Sequence, residues 1–197
     1  MPVWNPPVLL YLLATRGLKP LLSEMQPLKN LSSGISPAYE RLQAYGFGVD
    51  YPNNCVIEFN PKSNRTQGDI ALKSPNGYKL FLSWGDLDKV EKLHGVEGHA
   101  DYSIKRMKGS REATLKDVRR EATRVNGHAA SFSDIKLEIV RRGLFFNKTT
   151  RPQEVRSLHV HCDNSSRYFV LYGPAPPEKS QEQTEVFSKM IQSFACH

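Results

Sequence analysis

The alternation of hydrophobic and polar residues predicts a series of short strands in the first half of the chain. Four extended runs lie between residues 47 and 84, and turn sequences such as Pro75-Asn76-Gly77 separate them. In the fourth run, Leu80, Leu82 and Trp84 recur at every second position and so share one face. Short strands joined by tight turns are typical of an antiparallel sheet.

Hydrophobic residues three or four positions apart predict helices on both sides of this region. Residues 37–46 have Pro37 at a first helical position and Gly46 at a stop position, which predicts a short opening helix. Helical spacing returns in residues 87–108 and again in residues 111–125. In the last stretch the predicted apolar stripe is Leu115, Val118, Ala122 and Val125.

The second half of the chain returns to alternation and then ends in a helix. Residues 128–140, 154–162 and 167–173 read as strands, and residues 176–194 carry a helical stripe. The order is therefore helix, four strands, helical middle, three or four strands, helix. Runs of strands with segregated helices predict an α+β fold.

Several local motifs in this order resemble the Mog1/PsbP-like family. "YGFGVDYP" at residues 45–52 resembles the opening strand of that family, and "VNGHAA" at 125–130 resembles the turn after its central helix. "RYFVLYG" followed by a helix ending in "SF" resembles its last strand and helix. The resemblance covers about residues 37–195 and implies an α/β/α sandwich with a largely antiparallel sheet. It also implies a binding or accessory role, since members are mostly non-enzymatic.

Prolines are concentrated at the start of the chain. Five of them occur before residue 36, together with the loop-like "NLSSGISP", so residues 1–36 are predicted to be an extension and residues 37–197 a single domain. The apolar run at residues 8–14 is shorter than the roughly 20 residues that span a bilayer, and no basic residue precedes it. We therefore expect a cytoplasmic protein, with a secreted or lumenal location as the alternative.

Positive charge is concentrated in the middle of the chain. The net charge is +7, while residues 105–156 alone hold 14 Lys and Arg against 6 Asp and Glu. This distribution favours an acidic macromolecular partner, and we expect an acidic protein. The predicted partner-binding residues are Lys105, Arg106, Lys108, Arg111, Lys116, Arg119, Arg120, Arg124, Arg141 and Arg142.

The same basic surface is also compatible with nucleic acid. Contacts to phosphate need no base code, so such binding would have low sequence specificity. A basic surface that is merely solvated is the third interpretation.

A His-x-His pair, His159 and His161, provides the one candidate metal site. Side chains two apart on a strand point to the same face and could hold one metal if a third ligand were present. The candidates for that ligand are Cys196, His197, His128 and Asp163. The chain has three cysteines and no Cys-x-x-Cys motif, and a Cys162–Cys196 disulfide is open to it in an oxidising compartment. No catalytic motif or phosphate-binding loop occurs, so we expect a non-enzymatic protein without a cofactor.

Overall fold

The structure, a computed structural model, describes residues 38–109, 112–142 and 148–197. The predicted extension at residues 1–36 lies outside these residues, and its boundary stays a prediction. The strands are β1 (Tyr39–Ala44), β2 (Phe47–Pro52), β3 (Val56–Phe59), β4 (Gly68–Lys73), β5 (Lys79–Asp86), β6 (Ala113–Val125), β7 (His128–Arg142), β8 (Lys148–Cys162) and β9 (Arg167–Ala175). The α-helices are α1 (Val96–Lys108) and α2 (Ser180–Ser193), and 3-10 helices lie at Leu87–Leu93, Asp163–Ser165 and Pro177–Lys179.

Seven strands form one sheet in the order β3-β4-β5-β9-β8-β7-β6, and every neighbouring pair in it is antiparallel. β1 and β2 form a separate antiparallel hairpin. The predicted α+β class and the largely antiparallel sheet are therefore confirmed. β6 lies at one end of the sheet and β8 lies near its middle.

One face of the sheet, which we call the α2 face, carries the main hydrophobic core. Leu80, Leu82 and Trp84 project from β5 towards α2 and the β1–β2 hairpin, each at most 2% exposed. The helix α2 packs on this face and contributes its apolar stripe, Val186, Phe187 and Met190, to the core. The alternation predicted for β5 and the apolar stripe predicted for the last helix thus meet in one core.

The opposite face, which we call the α1 face, lies under α1 and is more polar. Ala100 and Met107 of α1 are buried, and so are Ile135 and Leu137 of β7. The buried polar residues on this face of β7 and β8 are Ser131, Ser133, Ser157, His159 and His161. With helices on both sides, the fold is a three-layer sandwich.

The predicted opening helix is wrong, because residues 39–44 form strand β1. Tyr45 and Gly46 both have positive φ, 51° and 72°, and connect Ala44 to its partner Phe47. Two consecutive positive φ values are typical of a type I′ hairpin turn. Gly46 therefore makes a hairpin turn, where the sequence predicted that it ended a helix. Pro37, the predicted first helical residue, lies outside the described residues.

The helix predicted over residues 111–125 is also wrong, because residues 113–125 form strand β6. Asn126 and Gly127 have φ of 49° and 85° and turn the chain directly into β7, with Val125 opposite His128. The apolar stripe at helical spacing had no packing partner to enforce it, since most β6 side chains are exposed. Pairing with the long strand β7 determines the conformation instead.

Candidate functional site

The predicted basic residues of β6 point to two sides of the sheet. Because side chains alternate along a strand, Arg120 and Arg124 lie on the α1 face, whereas Arg119 lies on the α2 face. The register places Arg124 opposite Ala129, which itself lies opposite His161. The predicted partner-binding residues of β6 therefore do not share a single face.

On the α2 face, the cations of β6 are matched by acids. Lys116 Nζ lies 2.9 Å from a carboxylate oxygen of Glu138, and Arg119 Nε lies 3.8 Å from one of Asp117. The Arg119 side chain is 81% exposed, so its pairing is weak and solvated. This side of the strand has a mixed charge.

On the α1 face, the cations of β6 lie next to those of α1. Arg120 forms an ion pair with Asp101 of α1. Lys105 and Lys108 follow Asp101 at four and seven positions along the helix, so they share its face. We name Lys105, Lys108, Arg120 and Arg124 the basic edge. All four side chains are exposed, and within the described residues neither lysine has an ion-pair partner.

The remaining predicted basic residues do not join this edge in the described part. Arg106 is half-buried and stacks its guanidinium over the Tyr102 ring, 5.9 Å from the centroid. Arg111 lies outside the described residues. Arg141 and Arg142 are the last residues of β7, and their side chains also lie outside the description.

The strand β6 ends the sheet, so its outer edge is available for contact. It pairs only with β7 among the described strands. Side chains from Thr114 to Arg124 are exposed or half-buried. A long edge strand with exposed cations can either recruit an acidic partner or prevent edge-to-edge association between copies.

His159 and His161 lie beneath α1 and form a cluster with His99, which sequence reasoning missed. His99 Nδ1 lies 3.2 Å from His161 Nε2, and His159 Nε2 lies 3.0 Å from Ser103 Oγ. The rings of His99 and His159 meet edge to face with centroids 4.9 Å apart. His99, Ser103 and Met107 recur at four-residue spacing, and this stripe was the signal that could have found His99.

The histidine cluster is held in the neutral form. Burial, with a contribution from His161, lowers the pKa of His99 from its ordinary 6.5 to about 3. Burial, with contributions from His99 and His161, holds the pKa of His159 well below its ordinary value. Burial also lowers the pKa of His161, although Asp163 opposes the shift. These rings therefore pack as uncharged polar groups at neutral pH.

Three of the predicted third ligands lie on the other side of the sheet from the His159/His161 pair. Cys196, His197 and His128 gather around Cys162, whose side chain points to the α2 face. Metal binding at His159 and His161 stays a prediction. The structure thus separates two groups that the sequence analysis treated as one.

The group around Cys162 contains two cysteine sulfurs and two imidazoles. Cys162 and Cys196 are joined by a disulfide, as the sequence allowed. Cys162 Sγ lies 3.9 Å from His128 Nε2 and 3.6 Å from His197 Nδ1. Cys196 Sγ lies 3.5 Å from the same His197 nitrogen. All four donor atoms lie within 4.8 Å of one another.

Among the described residues, no helix is long and apolar enough to span a membrane.

Comparison with known proteins identifies the fold. Neither a protein-family model nor a curated protein matches the sequence. The chain is similar to the solution structure of cyanobacterial PsbP (CyanoP) from Synechocystis sp. PCC 6803, with 10% identity and a TM-score of 0.59 over 87% of this chain and 100% of that one. It is also similar to the Ran-binding protein Mog1p of Saccharomyces cerevisiae, with 8% identity and a TM-score of 0.52 over 82% of this chain and 96% of that one. The protein therefore has the Mog1/PsbP-like fold that its motif order predicted.

Proposed function

We propose that this protein is a non-enzymatic binding module that holds an acidic protein partner along the basic edge. The observation that carries the proposal is the position of Arg120 and Arg124 on an exposed terminal strand, beside Lys105 and Lys108 of α1. These four cations come from two elements and line one side of the sheet. A partner with a matching row of carboxylates would meet them without displacing any core residue.

Charge balance favours the α1 side of β6 over the α2 side. On the α2 side, Glu138 and Asp117 already pair with Lys116 and Arg119. On the α1 side, within the described residues, Asp101 pairs with Arg120 and with neither lysine, which leaves Lys105 and Lys108 for a partner. Exposed cations of this kind raise association rates and contribute modestly to affinity.

A protein partner is favoured over nucleic acid because the cations follow a strand edge and because few aromatic rings are exposed in the part of the chain that the structure describes. Among the described residues Tyr102 is the exposed aromatic side chain of α1, and Arg106 already covers its ring. Single-stranded nucleic acid binding relies on aromatic stacking in addition to charge. The fold is also shared with Mog1p, which is a Ran-binding protein. The cytoplasm remains the compartment that we propose.

The test is comparative co-purification from the native cell. The bait carries a cleavable affinity tag, which is removed so that it does not alter the protein surface. Two baits are compared, wild type and Arg120→Glu/Arg124→Glu. The variant still has charged side chains on the edge strand, so pairing between two copies of the chain stays unfavourable. The reversed sign of these charges removes the attraction to an acidic partner. We expect one or more acidic proteins to be recovered with wild type and lost with the variant.

The matched control is Lys62→Glu/Lys79→Glu, which changes the net charge equally at the β3–β4–β5 end of the sheet. Both lysines are exposed. The control should recover the same proteins as wild type. Equal recovery of the same proteins by all three baits would refute the proposal. Recovery of nucleic acid alone, identified because nuclease treatment removes it, would also refute it.

A further inference from the structure

The disulfide between Cys162 and Cys196 lies against two imidazoles in an arrangement that suits a metal ion once the sulfurs are reduced. We propose that Cys162, Cys196, His128 and His197 form a thiol-dependent zinc site, which binds Zn²⁺ as two thiolates and two imidazoles and is closed while the disulfide is present. This inference goes beyond the binding function proposed above and does not depend on it.

The distances between donors match a tetrahedral Cys2His2 set. With Zn–S near 2.3 Å and Zn–N near 2.0–2.1 Å, sulfur and nitrogen ligands lie about 3.6 Å apart across a tetrahedral edge. Three of the four sulfur–nitrogen distances here are 3.9, 3.6 and 3.5 Å, and the fourth is at most 4.8 Å. On metal binding the two sulfurs must separate, from bonding distance to about 3.8 Å, and the donor atoms are already within 4.8 Å of one another.

The elements around the site allow that separation. Cys162 is fixed at the end of β8, and His128 is the first residue of β7. Cys196 and His197 instead follow Ala195, which forms a single bridge with Gly48 through hydrogen bonds of 2.7 and 2.8 Å. The tail side of the site can therefore adjust by side-chain rotation at Cys196 and His197, which leaves the backbone and the sheet in place.

Two neighbouring groups favour the metal-bound form. His197 presents Nδ1 to the sulfurs, while its Nε2 lies 3.4 Å from the Asn164 amide. A flip of the Asn164 side-chain amide exchanges its nitrogen and oxygen and places the oxygen next to His197 Nε2. The oxygen then accepts a hydrogen bond from the Nε2 proton, which leaves Nδ1 to bind the metal. Arg167 is buried nearby and donates from Nη2 to the Cys196 carbonyl at 3.2 Å, which fixes the backbone that carries this ligand.

The reaction that opens the site is thiol–disulfide exchange. A dithiol reductant transfers two electrons and two protons to the Cys162–Cys196 bond and itself becomes a disulfide, which leaves two thiols in the protein. Zn²⁺ then displaces the two thiol protons and forms two Zn–S bonds. Reoxidation reverses both steps and releases the ion. In the cytoplasm thiols are kept reduced, so the metal-bound form is the one expected there.

Cobalt titration of the purified full chain, without a histidine tag, tests the proposal. Reduced wild type should bind one equivalent of Co²⁺ and show the thiolate charge-transfer and visible bands of tetrahedral cobalt, and Zn²⁺ should then displace the cobalt. The oxidised protein should show none of these bands. His197→Ala and Cys162→Ser should each weaken binding at least tenfold, and Asn164→Ala should weaken it about tenfold through the outer shell.

Cys55→Ser is the matched control, because Cys55 is a buried free cysteine outside the group. It should bind like wild type. Because His197 is exposed, its substitution keeps the test valid even if the Cys162 variant does not fold. The proposal is overturned if reduced wild type shows no thiolate band, if the oxidised protein binds equally well, or if His197→Ala binds like wild type.

Discussion

At the residue scale, three histidines occupy the interface between α1 and the sheet, where aliphatic side chains would be the usual filling. His99, His159 and His161 are each less than 10% exposed. They contact one another and Ser103, and burial keeps them neutral. Their stability contribution therefore depends on pH.

The unfolded chain protonates His99 near pH 6.5, whereas the folded chain does so only near pH 3. Between these values the unfolded state binds more protons, so the free energy of unfolding falls as pH falls from about 6.5, by at most about 1.4 kcal/mol per pH unit from this residue. We predict that His99→Gln reduces this pH dependence. Urea unfolding between about pH 7 and pH 5 measures it.

The control for that prediction is His94→Gln, which replaces an exposed histidine of the same region. It should retain the pH dependence of wild type. If His99→Gln unfolds with the same pH dependence as wild type, His99 is not a buried neutral group in solution.

What the sequence could predict at this scale is the direction of the side chains. Alternation correctly predicted that His159 and His161 share one face of β8, and Leu158, Val160 and Cys162 lie on the other face, in the core. The partners of both groups come from α1, β7 and the C-terminal tail. No local pattern in β8 encodes those long-range contacts.

At the element scale, the strands β2, β4, β5 and β9 and the last helix could be read from the sequence because at least one side of each is buried. The spacing of the apolar residues then indicates directly whether the segment is a strand or a helix. β1 and β6 could not be read in this way. Both are largely exposed, so the apolar residues of β6 fall at helical spacing without packing as a helix.

The turn between β6 and β7 held the signal that would have corrected the error. Asn-Gly followed by an alternating run is a strong indication of a type I′ hairpin, and Asn126 and Gly127 both adopt positive φ. Because this pair was interpreted as the turn after a central helix, the β6–β7 hairpin was not predicted from the sequence. Local turn chemistry was more informative here than periodicity.

Gly127 gives a prediction for this turn. Its φ is 85° and a Cβ would meet no atom within 4 Å, so Gly127→Ala introduces backbone strain alone. We expect the free energy of unfolding to fall by about 1 kcal/mol. Chemical denaturation measures it, with Gly109→Ala as the control.

Gly109 ends α1 with φ −77° and ordinary contacts to a Cβ at 3.6 and 3.7 Å. Alanine should therefore be neutral or slightly stabilising at that position. Equal destabilisation by the two substitutions would contradict the hairpin geometry assigned to residues 126 and 127.

At the scale of the whole molecule, the C-terminal tail is joined to the β1–β2 hairpin by one contact and to the middle of the seven-stranded sheet by two. Ala195 bridges Gly48, Arg167 holds the Cys196 carbonyl, and the disulfide links Cys196 to β8. These contacts close the segment from residue 162 to residue 196, which contains β9 and α2. The fold class and the order of its layers were predictable, whereas this closure depends on residues 34 positions apart.

Reduction of the disulfide should destabilise the protein. A cross-link over 34 residues stabilises a fold by about 4 kcal/mol in the chain-entropy account. We predict a lower urea midpoint after treatment with a dithiol, measured in a Cys55→Ser background so that only the Cys162–Cys196 pair reacts. Identical midpoints in the reduced and oxidised protein would show that the tail is not closed by this bond.

The central claim is that the basic edge holds an acidic protein. The most direct measurement is the dissociation constant of the recovered partner for wild type and for Arg120→Glu/Arg124→Glu, at low and at physiological salt. We predict about tenfold weaker binding by the variant, and wild-type binding that weakens as salt rises. Equal dissociation constants for the two proteins, unaffected by salt, would contradict the claim.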